Sequence, residues 1–384
     1  MNYIPYGRQD ITSEDIDAVL SVLKSDYLTQ GPLVPLFESS VSEYVGASFA
    51  VAVNSATSAL HIACLSLGVG HGDIVWTSPI TFVASANCAL YCGADVDFVD
   101  IDPLTFNMSV DALKQKLIEA EGRGRLPKVV IPVHMCGRSC DMRAIRQLGV
   151  AFGFNVIEDA SHAIGGMFEG QRIGSCQFSD ITVFSFHPVK IVTTGEGGMA
   201  VTNDANLAKA MQLRRSHGIT RETDQMTQNP DGPWYYQQTE LGFNYRITDI
   251  QAALGLSQMS RIDTYIAKRN HLADRYDSLL SGLQLTLPTR DQESVSAFHL
   301  YVVQLTDARL RASVFSALQA KNIGVNVHYI PVHLQPYYAR MGFAIGDYPN
   351  AESYYASAIS LPMYPNLTDE QQQYVVDCVK ECLS

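Results

Sequence analysis

The sequence predicts an α/β protein: a large, mainly parallel sheet covered by helices on both faces, followed by a smaller α+β region. Three observations carry this. Apolar strand-like runs alternate with amphipathic helical stretches between residues 49 and 161, two further strand-like runs follow between 180 and 204 without room for a crossover helix, and a long helical pattern begins at about Asp249. Continuous apolar strands, rather than strands with one polar face, mark a sheet buried on both sides. The division is placed at 1–248 for the large unit with its N-terminal arm and 249–384 for the small one.

Taken in order, FAVAVNS (49–55) is a buried strand and TSALHIACLSLGV (57–69) the helix after it. DIVWTSP (73–79) is a strand and TFVASANCALYCG (81–93) a helix. DVDFVDID (95–102), KVVIPVHM (128–135) and FNVIEDAS (154–161) are strands separated by the helical patterns SVDALKQKLIEAE and DMRAIRQLGVAF. DITVFSF (180–186) and GGMAVTND (197–204) are the closely spaced pair. The polar stretch 221–242 is a long excursion, of the kind that often serves function. Beyond it, 249–283 is one long or kinked helix, AFHLYVVQL (297–305) and NIGVNVHYI (322–330) are strands, and ARLRASVFSALQA between them is a helix.

The net charge of −12 argues against a general nucleic-acid binder and against adhesion to anionic membranes. The N-terminus has no basic segment followed by an apolar core, and no run approaches 18 uninterrupted apolar residues, so a cytoplasmic protein is expected. Eight cysteines raise the question of metal, but Cys88/Cys92, Cys136/Cys140 and Cys378/Cys382 are each four apart, where zinc pairs usually have two intervening residues. Two of these pairs fall on one face of an expected helix. His134 with Cys136 and Cys140 is the single cluster resembling a metal site; free thiols are the expectation, and no metal is assigned.

Ligands of a parallel sheet bind at the carboxyl ends of its strands, so the residues standing there are informative. After 49–55 comes NSATSAL, whose small polar residues open a helix with free N–H groups: an anion site or an ordinary N-cap. After 154–161 come Glu158, Asp159 and His162, suited to catalysis, a metal or a cap. Thr81-Phe82 places an aromatic at another helix start. In SFHPVKIVTTGEGGM (185–199), Lys190 lies between an apolar run and a glycine-rich turn. It is either a snorkelling surface lysine or one whose buried amine loses its proton and attacks carbonyls. Pyridoxal 5'-phosphate would give these positions a joint meaning, because it needs a phosphate cradle, a face for its ring, an acid for its ring nitrogen and a lysine for its aldehyde.

These motifs resemble the DegT/StrS sugar aminotransferases over nearly the whole chain. The resemblance implies the type I, aspartate aminotransferase-like fold of pyridoxal phosphate enzymes. It implies Thr57, Ser58 and Ser185 on the phosphate, Phe82 on the ring, Asp159 on the ring nitrogen, His162 near the ring hydroxyl, and Lys190 on the aldehyde. GFNYRITDIQAALG (242–255) resembles the segment whose asparagine, here Asn244, reaches the cofactor of a partner subunit, which implies a homodimer sharing its sites. IPYGRQDI, DYLTQGPLVPLFE, PKVVIPVHMCGRSCDM, RSHGIT and VNVHYIPVHLQPYY further resemble the branch acting on UDP-4-keto-6-deoxy-N-acetylhexosamines with L-glutamate as amino donor. Substrate residues implied on that ground are Tyr6, Thr29, Gln30, His328 and Tyr329. Arg246 joins them because its guanidinium fork fits carboxylates and diphosphates, unless it pairs with Asp249.

Lys190 stands against a dehydratase relative that has histidine there, and His187 is expected to be a wall or core residue. Three other classes compete: an aminotransferase for a dTDP- or GDP-linked keto-sugar, a non-catalytic sensor on the same fold, and a metal-dependent hydrolase using His134, Cys136 and Cys140. The sensor class would typically lack Lys190, Asp159 or the phosphate loop, and all are present.

Overall fold

Residues 2–383 are described by the structure, a computed structural model. Met1 and Ser384, the outermost residues of the two expected units, lie outside them.

The N-terminal arm leads into helices α1 (Ser13–Leu23) and α2 (Leu33–Val45). The expected alternation follows as β1 (Phe49–Val53), α3 (Ala56–Ser66), β2 (Ile74–Thr77), α4 (Ala84–Tyr91), β3 (Asp95–Phe98), α5 (Val110–Gly122), β4 (Val129–Ile131), α6 (Met142–Phe152) and β5 (Asn155–Asp159). A short hairpin, β6 (Met167–Phe168) and β7 (Gln171–Arg172), precedes β8 (Ile181–Ser185), β9 (Gly198–Thr202) and α7 (Ala205–Arg215). The excursion follows β10 (Ile219–Thr220), holds its partner β11 (Gln237–Gln238) and one 3-10 turn, and leaves Trp234, Tyr236 and Leu241 exposed. Beyond it come α8 (Asp249–Met259), α9 (Ile262–Leu280), β12 (Leu285–Thr286), β13 (Ser294–Val295), β14 (Tyr301–Leu305) and α10 (Arg311–Ala320). The chain ends in α11 (Pro336–Ala339), α12 (Pro349–Ser357), β15 (Ala358–Leu361) and α13 (Asp369–Leu383).

Seven strands form the main sheet in the order β1-β9-β8-β5-β4-β2-β3. All neighbours from β8 to β3 are parallel, whereas β9 runs antiparallel to β8 and to β1. The link 186–197 forms no helix to cross over the sheet, and β9 returns beside β8. That return sets Gly198 opposite both Val53 and Ser185, bringing the loops after β1 and β8 to one edge.

Successive strand side chains enter different cores. Val51, Val53 and Val183 pack with α3 and α4 on one face, and Ala52, Phe184 and Met199 pack with α2 and α8 on the other. The C-terminal sheet β12-β14-β15 is antiparallel, and α9, α10 and α13 supply its core through Leu272, Tyr276, Leu318, Val375 and Val379.

Two expectations are corrected. The helix 249–283 is two helices, broken at Ser260-Arg261, where the Arg261 guanidinium turns to the Asp15 carboxylate at 2.6 Å. Side chains of α8 and early α9 join the core beneath the large sheet, and those from Leu272 onward join the small one, so the chain changes cores within α9. Segment 322–330 is not a ladder strand: among the described residues its β-pairing is confined to the single bridges Ile4↔Ile323 and Asn326↔Ser360. The place beside β14 is taken by β15, and 326–330 turn into the cleft that Lys190 and Asp159 also line.

Candidate active site

The loops after β1, β5 and β8, the start of α4, the N-terminal arm and residues 326–330 enclose a cleft of about 1020 Å³. Among the sites expected from sequence, Tyr6, Thr57, Ser58, Phe82, Asp159, His162, Ser185, Lys190, His328 and Tyr329 line it. Thr29, Gln30, Asn244 and Arg246 do not. Backbone pairing holds Thr29 to Thr248, Asn244 to Ser216 and Arg246 to Val53, along the outer side of β1. Thr29, Gln30 and Asn244 are exposed there, and Asp249 binds the N–H groups of Gly31 and Leu33 rather than Arg246.

The cradle begins at the helix cap. Ser55 accepts the Ser58 N–H at 3.1 Å, and the Ser58 hydroxyl is held on Asn54 Oδ1 at 2.7 Å. The first N–H groups of a helix have no intrahelical partner, so those of Ala56 and Thr57 face the cleft available for an anion. Ser185 ends β8 directly beside Gly198. An alanine at 198 would meet the Ser55–Ala56 peptide at 2.5 Å, so only glycine lets the cradle and β9 lie this close.

Lys190 follows β8 on a turn in which its N–H donates to the His187 carbonyl at 2.9 Å. The chain then doubles back through Gly195 in the left-handed region. Burial pulls the Lys190 amine down to about 8, outweighing the opposing pull of the Asp159 carboxylate. Asp159 closes the opposite wall. Its Oδ1 accepts from the Ser161 N–H (3.1 Å) and hydroxyl (2.6 Å), and its Oδ2 accepts from Ser85 at 2.6 Å. A carboxylate has about four acceptor sites, so one, on Oδ2, stays open.

His162 Nε2 lies 3.1 Å from the Tyr329 hydroxyl, with its ring stacked on Tyr329 at 6.1 Å and 4.4 Å from that of His299. The Nδ1 atoms of His162 and His299 are buried without partners. Burial, with the Lys190 charge next, holds both imidazoles well below the usual histidine range and brings His328 to about 3. Phe82 stands 59% exposed at the mouth, 6.3 Å from Tyr329. His187 is an exposed wall residue, as expected.

The sequence reading missed Ser85, Ser161 and His299. Ser161 lies inside EDAS, where a hydroxyl beside an acid was the available signal; Ser85 in TFVAS and His299 in an apolar run gave none. The His134 cluster has other work. His134 Nδ1 accepts the Cys140 N–H at 3.1 Å, fixing the ring proton on Nε2, which lies 2.7 Å from Glu158. Among the described residues no group of three His, Cys, Asp or Glu side chains is arranged to hold a metal, and no helix is long and apolar enough to cross a membrane.

Free N–H groups at a helix start, an open acceptor on a buried carboxylate, a lysine with a lowered amine and an unpartnered imidazole nitrogen fit a phosphorylated pyridine aldehyde. The fold and the cleft define a pyridoxal phosphate-dependent aminotransferase of the aspartate aminotransferase-like type. The DegT/DnrJ/EryC1/StrS aminotransferase family profile matches residues 9–380. The spore coat polysaccharide biosynthesis protein SpsC of Bacillus subtilis is 39% identical over 99% of this chain and 97% of its own. The UDP-4-amino-4,6-dideoxy-N-acetyl-β-L-altrosamine transaminase of Campylobacter jejuni is 35% identical over 97% and 96%. Among solved structures, Helicobacter pylori PseC, described as an aminotransferase involved in pseudaminic acid biosynthesis, superposes with a TM-score of 0.92 at 30% identity, covering 100% of this chain and 99% of its own. A Streptococcus pneumoniae protein solved in a PLP form gives 0.89 at 30% identity, with both chains fully covered (100%). The chain belongs to the DegT/DnrJ/EryC1/StrS family; it is a sugar aminotransferase and its cofactor is pyridoxal 5'-phosphate.

Proposed function

We propose that this protein moves the amino group of L-glutamate to carbon 4 of UDP-2-acetamido-2,6-dideoxy-β-L-arabino-hex-4-ulose. The product is UDP-4-amino-4,6-dideoxy-N-acetyl-β-L-altrosamine, on the way to pseudaminic acid. The observation that carries amino transfer is the pairing of Lys190, with its lowered amine, and Asp159 across one cleft. The sugar follows the name of the Campylobacter relative, which matches over nearly the full chain.

When bound, the cofactor supplies an aldehyde to take the amino group and a ring to spread the charge left by the amino acid's α-proton. In this reading the N–H groups of Ala56 and Thr57 and the hydroxyls of Thr57, Ser58 and Ser185 hold its phosphate. Phe82 covers the ring, and His162 orients the ring hydroxyl. Asp159 keeps the ring nitrogen protonated. Lys190 would hold the aldehyde and, as a free amine, would take up and return the substrate's α-proton. Tyr6, His328 and Tyr329 contact the sugar nucleotide.

Lys190 is the one lysine or arginine among the described residues lining the cleft. A cofactor phosphate, a diphosphate and glutamate together bring far more negative charge than one amine balances. The reading therefore includes a homodimer in which Thr29, Gln30, Asn244 and Arg246 serve the partner's cleft. The exposed Tyr27, Leu28, Trp234 and Leu241 near these residues in sequence support a covered surface.

The test is to give the purified enzyme glutamate and a panel of UDP-, dTDP- and GDP-linked keto-sugars, reading products by mass spectrometry and NMR. Amination of the UDP-β-L-arabino-hexos-4-ulose at carbon 4 is expected. Amination of only a dTDP or GDP sugar, or at carbon 3, overturns the sugar and leaves the aminotransferase standing.

A further inference from the structure

Asp159 is served by a hydrogen-bond chain that its own strand does not supply. Ser85, on the first turn of α4 and fully buried at 0% exposure, donates its hydroxyl to Asp159 Oδ2 at 2.6 Å. Thr81, also buried, sits behind it with Oγ1 2.6 Å from Ser85 Oγ. An ionised carboxylate only accepts, so the Ser85 proton is committed to Asp159 and the Thr81 hydroxyl must donate to Ser85. The chain runs one way, from the loop carrying Phe82 to the oxygen of Asp159 that keeps an open acceptor site.

We propose that Ser85, backed by Thr81, is a positioning residue for amino transfer: it donates to Oδ2 and aims it, so that the proton shared with the cofactor's ring nitrogen stays on nitrogen. The inference rests on the reading that Asp159 faces that nitrogen. Donors to an ionised group favour the ionised form, most strongly in a buried site. Without the Ser85 hydroxyl the carboxylate takes a larger share of the proton; nitrogen loses what oxygen gains, and no charge leaves the pair. A less cationic ring stabilises the developing carbanion less, so the loss falls on kcat rather than on binding.

The experiment uses holoenzyme reconstituted with cofactor labelled with 15N in its ring, read by NMR beside steady-state kinetics. In Ser85→Ala the nitrogen resonance is expected to move toward the unprotonated position and kcat to fall by about 10- to 100-fold, the range for a lost bond to a charged group, with KM for glutamate nearly unchanged. Ser85→Thr, which keeps the hydroxyl, restores both, and Thr81→Val moves the resonance the same way by less. An unmoved resonance in Ser85→Ala overturns the proposal, because a lost kcat would then report packing alone. If Ser85→Ala does not take up cofactor, an unmoved resonance in Thr81→Val overturns it instead. Asp159→Asn is the separate control: a wild-type resonance there shows that Asp159 does not face the ring nitrogen, and removes the underlying reading as well.

Discussion

Gly198 offers the sharpest test of how the sheet builds the cofactor cradle. An alanine Cβ there would lie 2.5 Å from Ala56 N and from the Ser55 carbonyl carbon, and 2.6 Å from the Ser55 oxygen. That is about 0.9 Å short of ordinary contact, and the obstructing atoms are backbone, which cannot swing aside as a side chain would. Overpacking of this kind typically costs about 1–3 kcal/mol. Gly198 is held on both sides by its ladder with Val53 and Ser185, so the strain falls on the looser partner, the 54–57 loop. Moving that loop misplaces the N–H groups of Ala56 and Thr57 that are proposed to hold the phosphate. If the cost is borne on binding, Gly198→Ala weakens cofactor affinity by about 5- to 150-fold. The assay is titration of apoenzyme with pyridoxal phosphate by visible absorbance, beside thermal unfolding of the apoenzyme. Affinity within twofold of the parent refutes the argument, whether stability is kept or lost, since the cradle then does not depend on this approach.

Four further outcomes are expected. Lys190→Ala should bind cofactor without a borohydride-reducible link and slow α-deuterium exchange from glutamate by at least about 10²- to 10⁴-fold, measured by NMR. Because the Lys190 amine attacks only when neutral and sits at about 8, cofactor uptake by apoenzyme should rise with pH to a plateau just above 8, followed by stopped-flow absorbance. The sign for stability follows: the unfolded chain keeps this proton up to about 10.5 and the folded chain only to about 8, so apoenzyme stability should rise with pH across that window. Arg269, 1% exposed, donates to the carbonyls of Phe298, His299 and Met363 at 3.1–3.2 Å. Arg269→Met should cost about 2–5 kcal/mol in urea unfolding, and should raise KM for the sugar, because Met363 N–H in turn holds the Tyr6 carbonyl at 2.9 Å.

The large sheet was legible because most of its strands are apolar runs bounded by turn residues; the closely spaced pair at 180–204 marked a break in the alternation, without giving the antiparallel direction of β9. The small sheet was less so. NIGVNVHYI has as strong a strand pattern as AISL (358–361), yet AISL pairs with β14 and the former turns into the cleft. Nothing local decides this, because pairing depends on which segment the packed helices bring alongside. The cleft residues at strand ends were legible for the same reason the sheet was: Asp159, Ser185 and Lys190 follow apolar strands directly. Ser85 and His299 were not, because a serine in a helix and a histidine in an apolar run just before β14 acquire meaning only from what lies across the cleft.

That difference matters for which groups carry protons. His162, His299 and His328 surround Lys190, and three imidazoles beside a lysine would suggest several general bases. Their setting argues otherwise. Each is buried, each lies in the field of the Lys190 charge, and burial followed by that charge drives all three down, His328 to about 3. Near neutrality none can hold the proton that a shuttle must carry, whereas Lys190 at about 8 both loses and regains it. The histidines are left as neutral hydrogen-bonding walls, and the lone lysine beside the glycine-rich turn is the one group among them able to move a proton.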